Sequence, residues 1–199
     1  MIPRHFLIAV AVMLAVALGA SLYIRGMRGR AHNLAAAAGS SGPVSPPVSG
    51  PTEQVTLYVA YDDAGVLRPQ TARIPLPAGR QERAQQVLRS LLNIYLDKPS
   101  PHPLGAGSDV RDTYLVDPGL AVIDLNAAFA DGHRSGVLVE ELTVASLVQT
   151  LSANIPGITR IKILVDGKER DTLAGHADLS GFFQASAMSQ IAAQLATAP

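Results

Sequence analysis

From Gln54 to Tyr61 the chain alternates, with Val55, Leu57, Val59 and Tyr61 on one side and Thr56, Tyr58 and Ala60 on the other. A two-residue period marks a strand with one buried face. Asp62-Asp63-Ala64-Gly65 follows as a turn, because Asp and Gly tolerate the backbone angles that a reversal needs. A returning strand over Gln70 to Leu76 sets Ala72, Ile74 and Leu76 on one side. Pro75 has no amide hydrogen for a ladder and so assigns this strand to a sheet edge. The period then changes. Ala84, Val87, Leu88, Leu91, Leu92 and Tyr95 recur at helical spacing opposite Arg83, Gln86, Arg89 and Asn93, and the helix ends before Pro99.

Beyond the Pro- and Gly-rich stretch Lys98 to Asp109, strands are expected over Thr113 to Val116 and Leu120 to Leu125, joined by the turn Asp117-Pro118-Gly119. A second helix over Leu138 to Asn154 presents Leu138, Leu142, Ala145, Leu147 or Val148, Leu151 and Ile155 as a wide apolar face, and Pro156-Gly157 stops it. Thr159 to Val165 alternates again, Ile161, Ile163 and Val165 against Arg160 and Lys162, before the turn Asp166-Gly167-Lys168. After Phe183 the tail is either a loose helix through Met188, Ile191 and Leu195 or a mobile end. This order predicts an α+β fold with one mixed or antiparallel sheet and two helices packed on one of its faces around a single core.

Ahead of the domain, Phe6 to Ile24 carries no charge. As a helix it would span about 28 Å, close to the ~30 Å of a bilayer's hydrocarbon core. It is longer than the apolar stretch of a usual cleaved signal, which is the alternative. A single transmembrane helix is therefore expected to precede the fold. Arg4 stands before the span and Arg25, Arg28 and Arg30 after it, so the charge rule taken alone would hold the C-terminal part in the cytoplasm. Residues 31–52, rich in Ala, Gly, Ser and Pro, have too little apolar surface to order themselves and read as a linker. The chain thus divides into an anchor with its flanks at 1–30, the linker at 31–52, a domain at 53–183 and a tail at 184–199.

Composition narrows the function mostly by exclusion. Sixteen acids balance sixteen bases, so no field of either sign points to nucleic acid. The absence of cysteine removes a disulfide framework, a thiolate zinc site, a cysteine nucleophile and a lipidated cysteine. His5, His32, His102, His133 and His176 show no i, i+4 pair, and His32 and His102 read as solvated loop residues. Gly105-Ala106-Gly107 lacks the rest of a phosphate loop. Glu140-Glu141 near a helix start is explained by the helix dipole, and Asp124 by capping of the segment after its strand. Ser135-Gly136 and Ser180-Gly181 have no nucleophile-elbow context. No catalytic residue, cofactor site or metal site is expected.

Four elements in order do resemble one family. Leu120-Ala-Val-Ile-Asp-Leu-Asn126 with Phe129, the helix from Glu140-Glu141-Leu142 to Leu151, Ile161-Lys-Ile-Leu-Val-Asp-Gly167, and Leu173-Ala-Gly-His176 with Asp178-Leu179-Ser180 resemble the GerMN domain of sporulation and germination proteins. The resemblance covers about residues 53–183. It implies an extracytoplasmic, non-enzymatic α/β module held at the cytoplasmic membrane, here by the N-terminal helix because there is no cysteine to lipidate. It implies an envelope protein partner or self-association, and it brings no catalytic residues and no spore-specific role. Gly175, His176, Asp178 and Ser180 are the candidate interaction residues, against the plainer reading of a turn that Gly permits and Asp or Ser caps. A module for cell-wall glycan or a small ligand is the alternative, disfavoured by the absence of tryptophan; a hydrolase is the third.

Overall fold

The computed structural model of the 199-residue chain describes residues 51–116 and 118–196. The expected anchor and nearly all of the linker lie outside the described residues, and among those described no helix is long and apolar enough to cross a membrane.

Strands β1 (Thr52–Tyr61) and β2 (Val66–Pro75) form an antiparallel hairpin in register from Thr52↔Pro75 to Tyr61↔Val66. The second strand starts four residues earlier than its pattern suggested, because exposed Arg68, Pro69 and Gln70 break the alternation. Helix α1 (Arg80–Leu96) buries the six residues that its period marks. Then come β3 (Val110–Val116), β4 (Leu120–Leu125), the short α2 (Ala127–Asp131) and α3 (Val137–Asn154). The chain closes with β5 (Arg160–Val165), β6 (Phe183–Gln184) and α4 (Ala185–Ala196). Strand order in the second sheet is β3-β4-β5-β6, antiparallel except for the β4–β5 pair. That parallel pair needs a crossover, which α2 and α3 supply.

The fold is α+β as expected, but the strands form a two-stranded and a four-stranded sheet rather than one. The cause lies on α3. The outer edge of β1 offers its backbone groups to side chains instead of to another strand. Asn154 accepts from Thr56 N (3.0 Å) and donates to Thr56 O (2.7 Å). Thr150 accepts from Tyr58 N (2.9 Å), and Ser146 donates to Tyr58 O (2.6 Å). The Tyr95 hydroxyl of α1 accepts from Ala60 N (2.9 Å). Ser146, Thr150 and Asn154 stand four residues apart and line one stripe of the helix. With the edge satisfied in this way, no ladder bonds remain for a third strand, and an unpaired edge is not left open to a neighbouring chain.

Helix α3 consequently departs from a one-faced reading. Leu142 to Leu151 is buried without interruption, so the helix is wrapped by β1, α1 and α4 rather than laid on one sheet. Its first turn protrudes: Leu138 is 44% exposed, against its expected place in the core. The tail forms a helix, with Ala192 buried and Met188 and Leu195 partly buried on the shared core.

Candidate functional site

Glu140 is the least exposed acid of the domain, with no accessible side-chain surface. It sits one turn into α3, where its Oε2 accepts from the backbone N–H groups of Ala174, His176 and Ala177, each at 2.9 Å. Oε1 accepts from Gly136 N (3.2 Å) and from His176 Nδ1 (2.9 Å). Burial pushes this carboxyl up, but the amides of Ala177, Ala174 and His176 and the His176 imidazole outweigh burial and hold it at about 2. Removal of such an acceptor leaves several donors unpaired at once. The 174–177 loop needs this anchor because its backbone is folded back on itself: Leu173 N donates to Ala177 O (3.0 Å), and Gly175 has φ +120°.

The four candidate interaction residues are thereby placed in one loop. Gly175 supplies the left-handed angle and His176 grips Glu140. Asp178 accepts from Ser180 N (2.8 Å), and the Ser180 hydroxyl and amide hold its carboxyl below the usual range. The carbonyls of Leu179 and Ser180 accept from the buried Lys162 ammonium at 3.1 and 2.6 Å. Against this loop, α3 and α4 leave a groove of about 560 Å³. Val144, Phe183, Met188, Ile191 and Leu195 make it apolar, and Glu141, His176, Asp178 and Gln194 supply its polar members.

A second interlock joins two other motifs. Asp124 Oδ1 accepts from Gly167 N (2.7 Å), so it serves the β5 turn and not the helix that comes after it. Asn126 caps α2 by accepting from Phe129 N (2.9 Å) and ties down the preceding loop through Asp109 N and Gly107 O. Asp166, at φ +50°, accepts from Ala127 N (3.2 Å) and donates its own amide to Leu125 O (2.8 Å).

A third cluster went unread in the sequence. His102 is 1% exposed, contrary to the solvated-loop expectation, and His133 is also buried. His102 Nδ1 lies 2.5 Å from Asp62 Oδ1, and its Nε2 lies 2.7 Å from Thr143 Oγ1. His133 Nε2 is also 2.7 Å from Thr143 Oγ1, and its Nδ1 is 2.7 Å from Arg134 O. Gly105 approaches the Gly132 backbone so closely that a Cβ would come within 2.9 Å of Gly132 O, which gives this glycine a packing role. His5 and His32 lie outside the described residues. Among those described, no three His, Asp or Glu residues are placed to hold a metal ion.

Fold and site together define a small α+β module, two sheets around a central helix, whose acids hold loops in place beside an apolar groove. The chain belongs to the Germane family, described as sporulation and spore germination, whose pattern matches residues 56–171. The tandem GerMN domains of the sporulation protein GerM from Bacillus subtilis share its fold, at 21% identity and a TM-score of 0.53. That match covers 67% of this chain and 46% of the tandem protein, so the chain spans about half that length. The first GerMN domain alone matches at 22% identity over 64% of this chain and 93% of its own, with a TM-score of 0.49. A candidate lipoprotein from Clostridium perfringens matches at 22% identity, 71% and 92% coverage, and a TM-score of 0.47. No curated protein matches the chain.

Proposed function

We propose that the chain is a membrane-tethered, non-catalytic interaction domain of the bacterial envelope, displayed outside the cytoplasmic membrane, which docks apolar side chains of a partner envelope protein. The groove between α3, α4 and the 174–183 loop carries this reading: it is open, mostly apolar and bordered by His176 and Asp178, two of the residues singled out in the sequence. Its volume falls in the range of specific binding sites. Four of the buried ionisable groups support a role without catalysis, because their lone pairs and protons are engaged internally. Glu140 takes five hydrogen bonds, Asp124 serves a turn amide, and His102 and His133 face Thr143. A general acid or base needs a free position facing its substrate. The tether rests on Phe6 to Ile24 and on the linker behind it.

Topology tests the placement. The chain has no native cysteine, and Ser186 is exposed. A Ser186→Cys variant in intact cells, with any outer membrane permeabilised, should react with a membrane-impermeant maleimide. Protection until the inner membrane is broken would put the domain in the cytoplasm and overturn the envelope placement.

A further inference from the structure

The apolar groove has a charge pattern of its own. Two of its walls are α3 and α4, and neither helix contains a lysine or an arginine. Apart from His176, its ionisable lining residues are both acids, Glu141 and Asp178. Asp178 accepts hydrogen bonds from Ser180. Glu141 has no such use. It is exposed, and among the described residues its carboxylate has neither a hydrogen bond nor an ion pair. The positions three and four residues away on α3 are Val137, Leu138, Val144 and Ala145, so no base pairs with it along the helix. The helix dipole does not account for it either, because Glu140 is the acid of the first turn and the favourable field fades beyond that turn. Nearby cations are engaged elsewhere. Lys162 acts on Asp178 through its charge, but it is buried and gives its ammonium to the carbonyls of Leu179 and Ser180, 3.3 Å from Glu169. His176 Nδ1 faces Glu140.

Glu141 also stands in an apolar row. Val137, Glu141 and Val144 are spaced four and three residues apart and share one face of α3. Val137 is 57% exposed, so this row carries uncovered apolar surface on toward the start of the helix. On α4, Met188, Ile191 and Leu195 repeat at three- and four-residue spacing. A cleft between two such helical ridges is matched by a third helix, whose side chains enter it at the same spacing. Resting on the docking role proposed above, we infer that the occupant is an amphipathic helical segment of a partner protein. It sets a lysine or arginine against Glu141 and apolar residues one turn to either side of that base. The apolar residues displace water from Val137, Val144 and Ile191. The base compensates a carboxylate that the docked helix would otherwise cover and leave unpaired, at a considerable cost. Glu141 and Asp178 together turn away an acidic helix, because like charges would meet in a partly desolvated contact.

The test uses the full chain in its native cells, with a photoreactive residue at Ile191 and the adduct mapped by mass spectrometry. The crosslinked segment should show helical apolar spacing, with a lysine or arginine within one turn of the attachment point. Glu141→Lys should lower the yield of that adduct about tenfold at equal expression. Exchanging the mapped base for glutamate should restore the adduct in the Glu141→Lys background, which a merely structural role for Glu141 would not do. The variant removes no contact within the domain, so its melting temperature should stay at the wild-type value. Four results overturn this inference and leave docking in the groove standing. They are an adduct indifferent to Glu141→Lys, a mapped segment without a base, no rescue by the exchanged charge, and an adduct of the chain with itself. No adduct from position 191, in a chain shown to be folded and inserted, removes both readings.

Discussion

Replacing Glu140 by glutamine keeps the shape of the side chain and removes its charge. In the native domain one oxygen accepts three backbone N–H groups and the other accepts Gly136 N and His176 Nδ1. A glutamine can offer its carbonyl oxygen to only one of these sets, and its NH2 then points at donors. The cost is set by the native carboxyl, which sits at about 2 against 4.5 in the unfolded chain. At about 1.4 kcal/mol per pH unit, this difference is worth about 3 kcal/mol at neutral pH. Because folding lowers the carboxyl, that stability is whole above about pH 4.5 and drains away as pH falls toward 2. Glu140→Gln should therefore lower the unfolding free energy at pH 7 by about 3 kcal/mol and the melting temperature by roughly 6–12 °C. The gap to wild type should close toward pH 2. Chemical denaturation of both proteins at pH 7, 5 and 3 measures it. A loss under about 0.5 kcal/mol at pH 7, or a gap that stays constant with pH, would refute the clamp.

Three further outcomes are expected from the same contacts. Thr150→Val orphans the Tyr58 amide and should cost about 1–3 kcal/mol, with faster hydrogen exchange at Tyr58, while Thr150→Ser keeps most of the stability. Asp124→Asn weakens the hold on Gly167 and the nearby Arg111 (3.5 Å), so a loss of about 1–3 kcal/mol is expected by thermal denaturation. Leu138→Ser, on the protruding first turn of α3, should stay within about 0.5 kcal/mol of wild type in the same assay.

Much of the fold is legible in the sequence because periodicity reports burial. The alternation of Val55, Leu57 and Val59 and the helical spacing from Ala84 to Tyr95 both correspond to buried faces. Periodicity does not convey which partner satisfies a strand edge. The stripe Ser146, Thr150, Asn154 is a visible signal, a polar row at four-residue spacing along the helix, and it marks the β1 edge that divides the sheet in two. Glu140 looked like an ordinary acid at a helix start because its partners, the amides of residues 174–177, lie more than thirty residues away. His102 stands among prolines and glycines, where composition suggests solvent, yet the loop folds inward to place it between Asp62 and Thr143. The four family-like elements pair off in space, Asp124 and the Leu125 and Ala127 backbone with Asp166 and Gly167, and Glu140 with the loop at Gly175 and His176. Their residue types are the ones that close turns and hold loops.

Docking through the groove is the central claim, and site-specific photocrosslinking tests it most directly. A photoreactive residue at Ile191, a groove position 38% exposed, is compared with one at exposed Asp63 outside the groove, in the full chain and in its native cells. The account predicts a discrete adduct of one partner, or of a second copy of the chain, from position 191 and not from 63, and its loss when Met188→Asp puts a charge in the groove. Equal adducts from both positions, or none from 191 in a chain shown to be folded and inserted, would contradict it.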